Sequence, residues 1–128
     1  SRNSMDICYS NFKNSFSGSS LGFCYNIRKL GNYYNMYKDL MSFWNDQFKD
    51  EIYNLTYENL ISNKEIEVKK LLKFCSLDWD ENCLNPHKNK KPVGTASLAQ
   101  VRSPIYQSSI NKWQNVDDEL NDLKKIIL

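Results

Sequence analysis

Apolar positions recur along most of this chain at helical spacing, and one short segment breaks that rhythm. Met5, Cys8 and Phe12 fall at i, i+3 and i+7 with Tyr9 alongside, which predicts a helix over 5–16 with Ser4 as its N-cap. From about 24 to 48, Leu30, Tyr33, Tyr34, Tyr37, Met41, Trp44 and Phe48 share one side and polar residues fill the other. That is a long amphipathic helix, with Gly31 a local weak point in propensity. Ser62-Asn63-Lys64-Glu65 reads as a capping box ahead of Val68, Leu71, Leu72 and Cys75, predicting a helix over 64–75. Val116, Leu120, Leu123 and Ile127 continue in helical register to the end of the sequence. The exception is IYNLTY at 52–57, where β-branched and aromatic residues alternate with period two and predict a strand.

Between these elements the chain turns polar. SGSSLG at 17–22 has the composition of a connector. Residues 76–96 form a long irregular stretch with Pro86, Pro92 and the run HKNKK, the kind of loop that is functional or mobile when it occurs inside a domain. SLAQVRSPIYQSSINKW at 97–113 is crowded with Ser and Gln, interrupted by Pro104, and carries Arg102 and Lys112. The order helix, long helix, strand, helix, long loop, helix points to an α/β domain dominated by helices, with one recognisable strand. Since one strand makes no sheet, its partners are expected outside the sequence at hand. The opening Ser-Arg-Asn-Ser is also expected to be the start of a fragment.

Length and charge narrow the chemistry. The 128 residues match one small domain, at 41% hydrophobic and 25% charged. A net charge of +2 implies no broad polyanion-binding face, so any anion must be held by a few placed residues. Cys8, Cys24, Cys75 and Cys83 form no C-x-x-C, and His87 has no His partner, so no metal site is expected. The thiols read as buried and reduced. SFSGSSLGF at 15–23 lacks the Gly-Lys-Ser/Thr ending of a phosphate loop. The Lys cluster HKNKK has no interleaved aromatics, so nucleic acid is not an expected partner. Asp117–Asp118 suits the start of a helix, and Asp78, Asp80 and Glu81 a turn, better than acid–base work. No apolar run is long enough to span a membrane.

Four segments in order carry a resemblance. SRNSMDICYS at 1–10 resembles R-[ND]-P-x-D-x-x-x-S, and LTYENLI at 55–61 resembles Y-E-[DQ]-L. VKKLLKFCSLDWDENCL at 68–84 resembles a helix followed by a G-L-P-W-D turn. AQVRSPIYQSSINKW at 99–113 resembles Q-V-x-x-P-[IV]-x5–6-[KR]-W. Together they resemble the C-terminal half of PAPS-dependent sulfotransferases, nearest to the bacterial group fused to tetratricopeptide repeats and more distantly to tyrosylprotein sulfotransferases. The resemblance covers nearly the whole chain. It departs from the family at Ser4 in place of Pro, at Leu98 and Ala99 in place of polar residues, and at Ser76 and Asp78 in place of Gly and Pro around Leu77.

The resemblance implies a P-loop-like parallel-sheet fold of which residues 1–128 are the C-terminal portion, in a bacterial cytoplasmic enzyme. The donor would be 3′-phosphoadenosine 5′-phosphosulfate (PAPS), without a metal, and the acceptor a saccharide, protein or small molecule. Arg2 and Ser10 would hold the 3′-phosphate, Arg2 through two parallel hydrogen bonds. They are eight residues apart, about 12 Å along a helix axis, so Arg2 must lie outside the helix and fold back. Tyr57 would meet the adenine, Ser97 to Tyr106 would strap the nucleotide, and Lys112 would complete the clamp, with Arg102 a weaker counterpart. No catalytic residue is expected here: the 5′-phosphosulfate loop and the base would lie upstream, and the chain alone would be inactive. The alternative is a non-catalytic helical interaction module using the aromatics of the 24–48 helix. If those aromatics are core instead, as such stripes more often are, Tyr33, Tyr37, Met41 and Trp44 should be shielded from water.

Overall fold

A computed structural model describes residues 1–16, 19–89, 91 and 110–128. Five α-helices are present among them: α1 (Ser4–Lys13), α2 (Ile27–Gln47), α3 (Tyr57–Ser62), α4 (Lys64–Phe74) and α5 (Asn121–Ile127). Short 3₁₀ turns fill in at Ser19–Tyr25, Glu81–Leu84, Pro86–Lys88, Lys112–Val116 and Asp118–Leu120. The described residues form two compact bodies. One comprises Arg2–Ile52 with Ser109–Leu128, the other Ser1 with Tyr53–Ser108.

The parallel-sheet α/β expectation is overturned, because no strand occurs among the described residues. Residues 52–56 belong to no regular element, and Tyr57 opens α3 instead of ending a strand. The physical reason lies in the backbone. Leu55 N–H donates to the Tyr53 carbonyl two residues back at 3.2 Å, a tight local turn that a strand cannot contain. The Leu55 carbonyl accepts from the Ser1 amino group and Tyr57 N–H donates to the Ser1 carbonyl at 2.9 Å, which joins this segment to a single residue. Period-two alternation reports a fit to a pleated surface, and it forms a strand only where a neighbour supplies the ladder.

In the first body, the predicted apolar stripes become one core. Met5 and Cys8 of α1, Leu30 of α2, and Leu120, Leu123 and Ile127 are buried together, with Phe12, Tyr34, Trp113 and Val116 packed against them. Helix α1 starts one residue earlier than expected: Asn3 is the N-cap, and its side-chain oxygen accepts from Asp6 N at 3.1 Å. Gly31 is explained by packing. A Cβ there would stand 2.8 Å from Ile126 Cγ2 and 3.3 Å from Leu123 Cδ1, so only a bare Cα lets α2 and α5 approach this closely. Asn35 Nδ2 donates to the Ile126 carbonyl at 2.8 Å beside that contact.

The other body pairs α3 with α4. The expected capping box is absent: Asn63 occupies the N-cap of α4 and makes no side-chain cap bond. The C-terminus is better finished. Leu77 N–H reaches the Leu72 carbonyl at 2.9 Å and Ser76 N–H the Lys73 carbonyl at 3.1 Å, the paired bonds of a Schellman cap. Ser76 therefore sits in the left-handed region at φ 54°, a backbone conformation that glycine adopts at no steric cost. All four thiols are free, but only Cys8 and Cys24 are buried; Cys75 and Cys83 are exposed, since α4 ends at Phe74 and leaves both in turns at the surface.

Two substitutions test this packing. Ser76→Gly removes left-handed strain and is expected to stabilise the chain by about 0.5–1 kcal/mol in urea denaturation. Gly31→Ala gains helix propensity yet must push Ile126 aside; the expected outcome is a net loss of about 1–2 kcal/mol by the same measurement.

Candidate functional site

Helix α1 carries the two N-terminal residues singled out from the sequence. Arg2 precedes the Asn3 cap, outside the helix, and its guanidinium folds along the first turn to lie 4.0 Å from Asp6 Oδ2. This shortens the reach to Ser10. Asp6 and Ser10 are four residues apart, so they share a face of α1 about 6 Å apart along the axis. Ser10 is half-buried, and the Arg2 side chain keeps 23% of its surface exposed. Both retain access to solvent.

Asp6 is the residue that sequence reasoning missed. Its side chain is 1% exposed. Oδ2 accepts the backbone N–H of Asn111 at 2.9 Å, and Oδ1 has no hydrogen-bond partner among the described residues. Asn111 adopts a left-handed conformation at φ 58°, tolerated by Asn better than by most residues, and directly precedes the 3₁₀ turn Lys112–Val116. Lys112 opens that turn with an exposed side chain. One buried carboxylate thus holds the backbone beneath Lys112 and pairs with Arg2. The available signal was the motif itself: the D of R-[ND]-P-x-D-x-x-x-S falls on Asp6, one helical turn after Arg2.

The remaining candidates belong to the other body or lie outside the described residues. Tyr57 belongs to the second body, where it is half-buried at the first position of α3. Ser97 and Arg102, with the rest of the strap to Tyr106, lie outside the described residues. Trp113 follows Lys112 and packs against the core, with the Lys124 ammonium 5.6 Å from its ring centroid. That ammonium also pairs with Asp117, so Asp117 serves an ion pair.

Nearby groups are poorly suited to nucleophilic chemistry. The Cys8 thiol, two residues before Ser10, is pushed up to about 11 by burial and then by Cys24, and so stays protonated at neutral pH. Burial likewise raises the Tyr34 phenol, with Cys8 and Tyr37 adding to the shift. An open apolar groove of about 690 Å³ runs between α1 and α2, lined by Ile7, Cys8, Leu30, Tyr33, Tyr34 and Tyr37 among others. It continues into an exposed face of α2. Tyr33 is 53%, Met36 67%, Leu40 52% and Phe43 52% exposed. The shielding expected of Tyr33, Tyr37 and Trp44 therefore does not hold among the described residues, because the core takes only Leu30 and Gly31 fully from this helix. No helix among the described residues is long and apolar enough to cross a membrane.

Residues 1–81 match the model of the sulfotransferase family. The matched stretch contains Arg2, Asp6, Ser10 and Tyr57 and ends before the 97–113 segment. An uncharacterized protein of Aquifex aeolicus (strain VF5) is 35% identical over 128 residues, covering 98% of this chain and 17% of the relative. The chain thus spans about one sixth of that relative's length. No solved structure matches.

The two cations differ in what they do for the fold. Arg2→Ala leaves the buried Asp6 carboxylate without its charge partner and is expected to cost about 1–2 kcal/mol. Lys112→Ala is expected to stay within about 0.5 kcal/mol of the unmodified chain. Urea denaturation of both variants checks this, and equal losses would contradict the assignment.

Proposed function

The chain belongs to the sulfotransferase family, and from that premise we propose that it supplies the nucleotide grip of a PAPS-dependent sulfotransferase. In the complete protein, Arg2 takes two oxygens of the 3′-phosphate, Ser10 donates its hydroxyl, and Lys112 adds a second positive charge. Tyr57 faces the adenine, and Ser97 and Arg102 belong to the strap over the nucleotide. The acceptor is a hydroxyl or amine of a saccharide, protein or small molecule. The motifs favour the bacterial tetratricopeptide-linked group.

One observation carries the reading: Arg2 and the backbone under Lys112 are tied to the same Asp6 oxygen, with Ser10 one turn along the same helix face. Residues 105 positions apart are brought together around cationic and hydroxyl groups that keep solvent access. That donor set fits a dianionic phosphate ester. Sulfuryl transfer, like phosphoryl transfer, depends on holding the donor in line with the acceptor. A firm hold on the 3′-phosphate positions the distant 5′-phosphosulfate without touching the reacting atoms.

The exposed Tyr33, Met36, Leu40 and Phe43 face favours a second reading, a non-catalytic interaction module. The two readings separate on nucleotide selectivity. Adenosine 3′,5′-bisphosphate (PAP) at a hundred times its Kd should stabilise the complete protein by about 2.7 kcal/mol, with 5′-AMP at the same concentration giving far less. Equal protection by both, or none, would refute the PAPS-grip reading and leave the interaction module. In the complete enzyme, Arg2→Ala and Lys112→Ala should each raise the PAPS KM about tenfold; unchanged kinetics would refute those two roles.

A further inference from the structure

Asp6 is the only charged side chain buried in the body that contains α1, α2 and α5, among the described residues. Stability alone does not call for it, since well-packed apolar residues commonly replace buried ion pairs at no loss. Nor does it cap α1, a task Asn3 performs. Its contacts supply the reason. Oδ2 accepts from Asn111 N–H at 2.9 Å and lies 4.0 Å from Arg2 Nη2. The first contact is a hydrogen bond; the second is a charge pair beyond hydrogen-bond reach. A carboxylate accepts strongly and in a set direction, so it fixes where the chain emerges at Lys112. The left-handed Asn111 then turns the backbone into the 3₁₀ segment that begins at Lys112. Its charge also keeps the guanidinium of Arg2 drawn along the first turn of α1.

We propose that Asp6 is the positioning residue of the phosphate grip: it touches no ligand but sets the placement of Arg2 and Lys112 on which preference for a 3′-phosphorylated adenine nucleotide depends. This rests on the PAPS reading above. An amide in place of the carboxylate would keep the shape and one acceptor oxygen but would lose the charge. The grip would loosen at the 3′-phosphate and leave contacts to the rest of the nucleotide in place.

The test uses the complete protein and calorimetric titration with PAP and 5′-AMP. The unmodified protein comes first. Failure to prefer PAP there overturns the PAPS reading, and this proposal with it. Given that preference, Asp6→Asn is expected to weaken PAP binding about tenfold, the size of one lost charged contact, while 5′-AMP affinity changes less than twofold. Unchanged PAP affinity, or equal loss for both nucleotides, overturns the positioning role while leaving the PAPS reading intact. Should Asp6→Asn fail to fold, amide hydrogen exchange in the unmodified protein decides. PAP should slow exchange at Asn111 and Lys112 more than 5′-AMP does at matched saturation, and equal protection overturns the proposal.

Discussion

The hydrogen bond from Asn111 N–H to the buried Asp6 carboxylate joins two stretches of chain 105 residues apart, and the first body is organised around it. Closing so long a loop costs conformational entropy, though the cost grows only slowly with length. The apolar contacts that offset it lie alongside: Met5 and Cys8 from one stretch, Leu120, Leu123 and Ile127 from the other, with Leu30 between. The apolar groups supply the driving force, and the carboxylate supplies direction. A hydrophobic cluster alone would tolerate small rotations of α1 against the Lys112 turn. An N–H bonded to a buried charge tolerates far less.

That division would let a chain with a net charge of only +2 hold the multiply charged nucleotide proposed for it. A diffuse basic surface would attract anions of every kind. In the proposed grip, two cations and a hydroxyl would instead discriminate by geometry. The surrounding groups are quiet. Burial keeps the Cys8 thiol protonated, and Lys124 is engaged with Asp117 and the Trp113 ring. The work proposed for this region is recognition, with the reacting group held some distance from it.

Some departures from expectation share one cause. The strand forecast for 52–57, the Ser4 cap and the Ser62 capping box were all read from local residue types. Each lost to a competitor: the Leu55–Tyr53 turn, Asn3, and Asn63. The aromatic face of α2 failed differently. Its periodicity was real and gave a helix over Ile27–Gln47, but periodicity states that a face is apolar, not that something covers it. In this chain the fully buried part of the helix is Leu30 and Gly31.

Read alone, the amino-acid order determined α1, α2, α4 and α5 to within a few residues and the stripes that supply Met5, Cys8, Leu30, Leu120, Leu123 and Ile127 to the core, but not α3. Leu120, Leu123 and Ile127 were legible as a stripe even though 3₁₀ turns precede α5. Arg2, Ser10 and Lys112 were legible as candidates only through the family resemblance of the segments that carry them. Tertiary structure alone decided that Gly31 is a contact point for Ile126 and that Asp6 is buried. The last could not be read in advance, since an acid near a helix start is ordinarily a solvated, dipole-favoured residue. What turned it inward was a backbone N–H at the far end of the chain, and no local pattern records a partner 105 residues away.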